Sequence, residues 1–160
     1  MGDLRDLTKL CHPFPSSMVQ TNPSGGGSYV SHSEVEQRLL EVLGPVNTSV
    51  DQIIRGRVEG KAPNPSGSSA RAKAGTPALE DAVVGVVLTM SAYVDELHVS
   101  VTEAGDCEAP HNWPHDGARL KDAMSDAYKR CAMRLGVGLH LWSQQHFYLG
   151  AKLLKQDQGE

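Results

Sequence analysis

Aromatic side chains are scarce in this 160-residue chain, at 5%, while glycine and proline together number 25. That mixture excludes a tight globule throughout and implies a folded middle carrying loose segments. There are three cysteines, odd in number and far apart, which excludes a disulfide framework. No apolar run approaches the ~18–20 residues of a membrane span. The opening Met1-Gly2-Asp3-Leu4-Arg5-Asp6 has no basic start and apolar stretch of a secretory signal, nor the Ser or Thr of a myristoylation signal. A cytoplasmic, reducing setting without membrane contact is the expectation. A cationic excess is missing too, since 15 Lys and Arg face 19 Asp and Glu for a net charge of −4.

The charge is unevenly placed. Residues 1–112 hold eight cations against fourteen anions, and residues 113–160 hold seven against five. Screening confines each contact to about 10 Å at 0.1 M salt, so placement governs phosphate binding more than the total does. The overall acidity permits a nucleic-acid partner without arguing for one.

The length suits one domain with a real core, and its most informative stretch is 118–142. At 100° per residue Leu120, Met124, Ala127, Cys131 and Leu135 share a narrow arc. Arg119, Lys129, Arg130 and Arg134 lie on the broad opposite arc with Asp122 and Asp126. Gly136 stands where a helix stop wants a residue that can turn left-handed.

Upstream, residues 1–28 read as an irregular arm, punctuated by Pro13-Phe14-Pro15 and Asn22-Pro23-Ser24-Gly25, with Phe14 and Val19 as anchors on the core. Ser31 or Ser33 is placed to cap a helix from about Glu34 to Leu43, ended by Gly44-Pro45. A strand is expected at 50–60, where Arg55 and Arg57 are two apart and project from one face. Residues 61–78, with Lys61, Arg71 and Lys73 and no large apolar side chain, read as a flexible loop or hairpin tip. Residues 82–90 and 97–102 read as further strands joined by an Asp95-Glu96 turn, and 144–155 as a short final helix. The expected fold is α+β: a helix, a three-stranded antiparallel meander or hairpin, and a long helix. An irregular arm precedes it, the core spans 29–155, and 156–160 form a tail.

Lys121-x-Ala123-x-Ser125-Asp126-Ala127-x-Lys129-Arg130, followed by Leu135-Gly136-x-Gly138-x-x-Leu141, resembles the signature helix of the Rad-fifty-two-type single-strand annealing proteins. Pro13-Phe14-Pro15, Tyr29-Val30 and Val35-x-x-Arg38-Leu39-x-x-Val42-Leu43-Gly44-Pro45-x-Asn47 are similar to the opening of bacteriophage members. The resemblance spans roughly residues 13–147. The chain departs from the family pattern at Leu135, where a Phe is common, and at Glu34, where eukaryotic members carry a base.

The resemblance implies a homo-oligomer, ring or helical filament, that binds single-stranded DNA and anneals complementary strands in homologous recombination. It implies no catalysis and no cofactor, a bacterial host cell, and a recombination exonuclease or single-strand-binding protein as neighbour. Carried over, Lys121, Lys129 and Arg130 face the phosphates. Arg55, Arg57 and Lys61 form the opposite wall by position, and Arg134 lies close in angle to Arg130.

Two other readings stand beside this one. A double-stranded RNA-binding module also runs helix, three strands, helix. Cys107-x3-His111-x3-His115 has ligand-type residues for a small zinc-dependent protein, although no fourth ligand is near and two prolines interrupt the segment. Cys131 reads as core. Trp113, Tyr128 and Trp142 have rings that could stack on bases, but aromatics this few are usually spent on packing.

Overall fold

Two runs of β-branched residues, 50–58 and 82–90, define the centre of the architecture. The computed structural model describes residues 5–22, 27–59 and 79–142, together with 149 and 152. Strands β3 (Asn47–Glu59), β4 (Leu79–Val94) and β5 (Leu97–Asp106) form an antiparallel sheet in the order β3-β4-β5. Along β4, Val86, Leu88, Met90 and Ala92 are buried, as alternation on a half-covered sheet requires. The residues between them point to the opposite face, which is hydroxylated. There Thr89 pairs with Thr102 at 2.7 Å and Ser91 with Ser100 at 3.0 Å, and Thr89 also donates to Asp51. Two register shifts, at Asp51 and opposite Val84, interrupt the β3–β4 ladder.

Helix α3 (Asp116–Arg134) lies on β4 and β5, leaving β3 as an outlying edge with Val50 and Ile53 exposed. The helix approaches closely because Ala123 and Ala127 meet Gly105 of β5. A Cβ at that glycine would sit 2.3 Å from the Ala123 carbonyl oxygen and the Ala127 nitrogen. The buried arc is therefore centred on Ala123, Ala127 and Cys131, with Leu120 and Met124 only partly covered. Small residues occupy the seam because the backbones nearly touch. Helix α2 (His32–Leu43) starts at Ser31, whose Oγ accepts from Glu34 N at 3.3 Å, and packs Val35 and Leu39 into the same core.

The architecture is α+β as expected, with longer strands. β3 begins at Asn47 instead of 50, β4 runs to Val94, and β5 to Asp106. Pairing extends the strands past the apolar runs, because polar residues on the open face also join the ladder. The Asp95-Glu96 turn is present, with both residues at positive φ (48° and 67°). The expected loop at 61–78, including Lys61, and most of the expected helix at 144–155 lie outside the described residues. Residues 149 and 152 are helical, and helix α4 (Leu139–Trp142) follows the glycine turn.

Among the first 28 residues, the described ones, 5–22 and 27–28, are not an irregular arm. They contain helix α1 (Arg5–Cys11), a 3-10 turn at Ser16–Met18 and a small hairpin of β1 (Gln20–Thr21) and β2 (Ser28–Tyr29). A seven-residue helix is too short to show periodicity or to hold itself together in water, and tertiary caps hold both of its ends. Asp95 accepts from Asp6 N and Leu7 N at 2.8 and 3.2 Å, and Asp6 accepts in return from Asp95 N. At the other end the Arg38 guanidinium donates to the carbonyls of Lys9, Leu10 and His12 and sits 4.4 Å from the centre of the Phe14 ring. Leu10 and Cys11 are buried against the turn after α3, where Gly136 (φ 110°) leaves no room for a Cβ beside Cys11 Sγ. Phe14 and Val19 anchor the segment as expected.

Candidate nucleic-acid interface

Helix α3 carries five cations, and the fold sorts them by partner. Arg119, read from the helical wheel as part of the basic face, is buried at 6% exposure. It donates to Asp116, Glu80 and the carbonyls of Pro110 and Trp113, tying the start of α3 to β4 and to the preceding loop. Arg130 bonds Asp126 one turn back at 2.9 Å, and Arg134 bonds Glu103 of β5 at 2.9 Å. Lys121 and Lys129 have no ion pair among the described residues. They stand eight residues apart with Ser125 between them, an i, i+4, i+8 stripe along one side of the helix.

Three hollows border this stripe. Lys121 lines one of about 350 Å³ with His32, Thr48, Met124, Ser125 and Tyr128. The Tyr128 hydroxyl donates to Glu36 and its ring lies 4.7 Å from His32, so α2 backs this hollow. Lys129 and Arg130 line a second, of about 380 Å³, with Asp106, Glu108, Asp122 and Asp126. Lys129 also lines the largest, about 460 Å³, where Tyr29 of β2 and Trp142 of α4 contribute to the walls.

The carboxylates of the second hollow are partly engaged already. Asp126 accepts from Asp106 N and Asp122 from Glu108 N, fixing the exit of β5 against α3. Asp126 also pairs with Arg130. Its cost is a lower local potential, and the guanidinium of Arg130 is held charged by Asp126 first of all.

The expected opposite wall is arranged differently. Arg55 and Arg57 are both exposed, alternating with half-buried Gly56 and Val58. Arg55 is spent on carboxylates, at 2.7 Å from Asp81 and 3.0 Å from Asp116. Asp116 opens α3, so Arg55 meets the helix at the Lys121 end. Lys129 stands thirteen residues beyond Asp116, about 20 Å along the axis at 1.5 Å per residue. Among the predicted residues the fold thus brings Lys129 and Arg130 into one hollow and Lys121 beside it. Arg55 and Arg134 are drawn into ion pairs elsewhere. Sequence spacing cannot show this, because Asp81, Asp116 and Glu103 lie 26, 61 and 31 residues from the cations they hold. Glu80, bonded by Arg119, and the Lys9, Leu10 and His12 carbonyls, bonded by Arg38, are likewise 26 or more residues away.

Asp116 is the hub of the strand–helix junction. Hydrogen bonds from Val83 N, then Arg119 and Arg55, hold its pKa down at about 2. Its unfolded value is about 3.9, so the stability it contributes is present above pH ~4 and is lost as pH falls toward 2. Acid unfolding followed by circular dichroism should show a steep loss between pH 4 and 2. Asp116→Asn should be less stable at neutral pH and flatter across that window; an unchanged acid limb would remove Asp116 from this role.

The Cys107, His111 and His115 set does not converge on a metal centre, since no such cluster of three is found among the described residues. Cys107 is buried, and burial together with the charge of Asp122 pushes its thiol up to about 11. His115 is instead the N-cap of α3, its Nδ1 accepting from Ala118 N at 3.2 Å. Cys131 is core, as read from the sequence.

No helix among the described residues is long and apolar enough to cross a membrane. No protein-family model matches this chain, and no curated protein matches it.

Proposed function

We propose that this protein binds single-stranded DNA along the Lys121–Ser125–Lys129 stripe of α3 and anneals complementary strands as a homo-oligomer, without catalysis. The observation that carries the reading is that, among the described residues, these two lysines have no ion-pair partner while the other three cations of α3 are engaged by carboxylates. They border concave surface, as cations that hold a phosphate chain should. Annealing needs no nucleophile, because pairing is itself downhill by roughly 1.4 kcal/mol per base-pair step. The protein has only to offset phosphate repulsion and keep bases accessible. The two lysines of this stripe bind weakly by themselves, so repetition around a ring or filament supplies avidity.

Self-association is supported by the sheet. Among the described residues β3 and β5 each pair only with β4, and the β3 edge exposes Val50 at 41% and Ile53 at 47%. Such an edge invites another chain. A role in homologous recombination within a bacterial cell, beside an exonuclease or single-strand-binding protein, follows from the resemblance of the α3 motif.

The test is strand annealing by the purified protein, followed by fluorescence with complementary labelled oligonucleotides, alongside sedimentation of the free protein. Acceleration of annealing by a multimer, falling steeply with salt, is the expected result. A monomer that ignores unpaired DNA at low salt defeats the proposal. Tighter binding of duplex RNA than of single-stranded DNA at equal salt would replace it with the RNA-binding reading.

A further inference from the structure

We propose that the cleft between the β1–β2 hairpin and the turn joining α3 to α4 receives one unpaired nucleobase per subunit, stacked on Trp142 and Tyr29. This rests on the single-stranded DNA reading and adds to it a site for the base, where the lysine stripe accounts only for the backbone. In a chain so poor in aromatics, each exposed ring is informative. Phe14 and Tyr128 are buried, Tyr93 stacks edge-on against His98 at 5.1 Å, and the Trp113 indole donates to the Glu108 carbonyl. Trp142 and Tyr29 remain 55% and 39% exposed, and among the described residues neither has a ring or side-chain hydrogen-bond partner. They belong to elements more than a hundred residues apart, yet line the same cleft. Of the two readings the sequence leaves for Trp142, packing or base stacking, its exposure favours stacking.

The remaining lining matches a nucleotide. About 460 Å³ lies within the ~300–1,000 Å³ range of small-molecule sites. Lys129 stands at the wall as a cation for the adjoining phosphate, continuing the stripe into the cleft. Glu108 and Asp126 supply acceptor oxygens, which suit the exocyclic amino groups of cytosine, adenine or guanine and find no such donor on thymine. A base held here once per subunit leaves the intervening bases free to pair.

The experiment uses the Trp113→Phe protein, in which Trp142 is the sole tryptophan. It is titrated with oligo-dC, oligo-dT and an abasic strand of equal phosphate number. Quenching of Trp142 by oligo-dC, affinity about tenfold above the abasic strand, and weaker binding of oligo-dT are expected. Trp142→Ala should bring oligo-dC down to the abasic level while retaining the far-ultraviolet circular dichroism of the parent. Tyr29→Ala, read by the same comparison with Trp142 intact, should narrow the gap. Equal binding of oligo-dC and abasic strands with Trp142 unquenched would overturn the base site and leave the backbone reading standing. Failure of every strand to bind would remove that reading, and the cleft with it.

Discussion

Replacing Lys121 and Lys129 together with alanine is expected to lower affinity for single-stranded DNA by ~25-fold at 0.1 M salt. Each phosphate contact on a single strand contributes about 0.7 to the slope of log K against log salt, so two contacts contribute about 1.4 relative to 1 M. The same measurement should therefore show the slope shallower by about 1.4 per subunit. Both side chains are surface groups without ion pairs among the described residues, so the melting temperature should hardly move. Arg134→Ala is the informative comparison. Its guanidinium is committed to Glu103, and removing it should leave the slope nearly unchanged. If Arg134→Ala equals the double lysine variant, the interface runs along β5, and the stripe is the wrong side of the helix.

Gly105→Val should be the most damaging single substitution in the fold. Its side chain would begin 2.3 Å from the backbone of α3 at Ala123 and Ala127, and neither atom can rotate away. The helix must lift off the sheet or the strand must bend, at a cost of about 3 kcal/mol or more. For a chain of this size that amounts to a melting temperature ~6–12 °C lower. Gly56→Ala provides the contrast, because the nearest atoms there are the Val84 methyls at 3.2 Å, which a side chain can yield. A small effect at Gly56 beside a large one at Gly105 is the expected pattern in thermal melts. Equal effects would mean that α3 does not sit as close to β5 as described.

The two experiments probe opposite sides of one helix, and they show how far local sequence reaches. Helix α3 was legible because its apolar, basic and glycine positions recur at helical spacing within twenty residues. The three strands were legible as β-branched runs, although their polar extensions were not, since only pairing recruits Asn47 or Ala104 into a ladder. The capping of α1 by Asp95 and Arg38 had no local trace at all. Asp95 is 88 and 89 residues, and Arg38 26 to 29 residues, from the groups they hold.

The candidate site divides along the same line. Sequence alone determined that a helix with cations at 121, 129, 130 and 134 follows a β meander, because helical period and β-propensity act between near neighbours. Arg130 pairs with Asp126 one turn back, within reach of local spacing, whereas the fate of the other cations was decided by tertiary structure. Glu103 arrives from β5 for Arg134, Glu80 from β4 for Arg119, and Asp81 and Asp116 converge on Arg55. That Tyr29 and Trp142 line one cleft likewise depends on where the β1–β2 hairpin sits relative to the end of α3. Coulomb attraction and cavity shape depend on distance through space, and the separation of residues along the chain does not encode that distance.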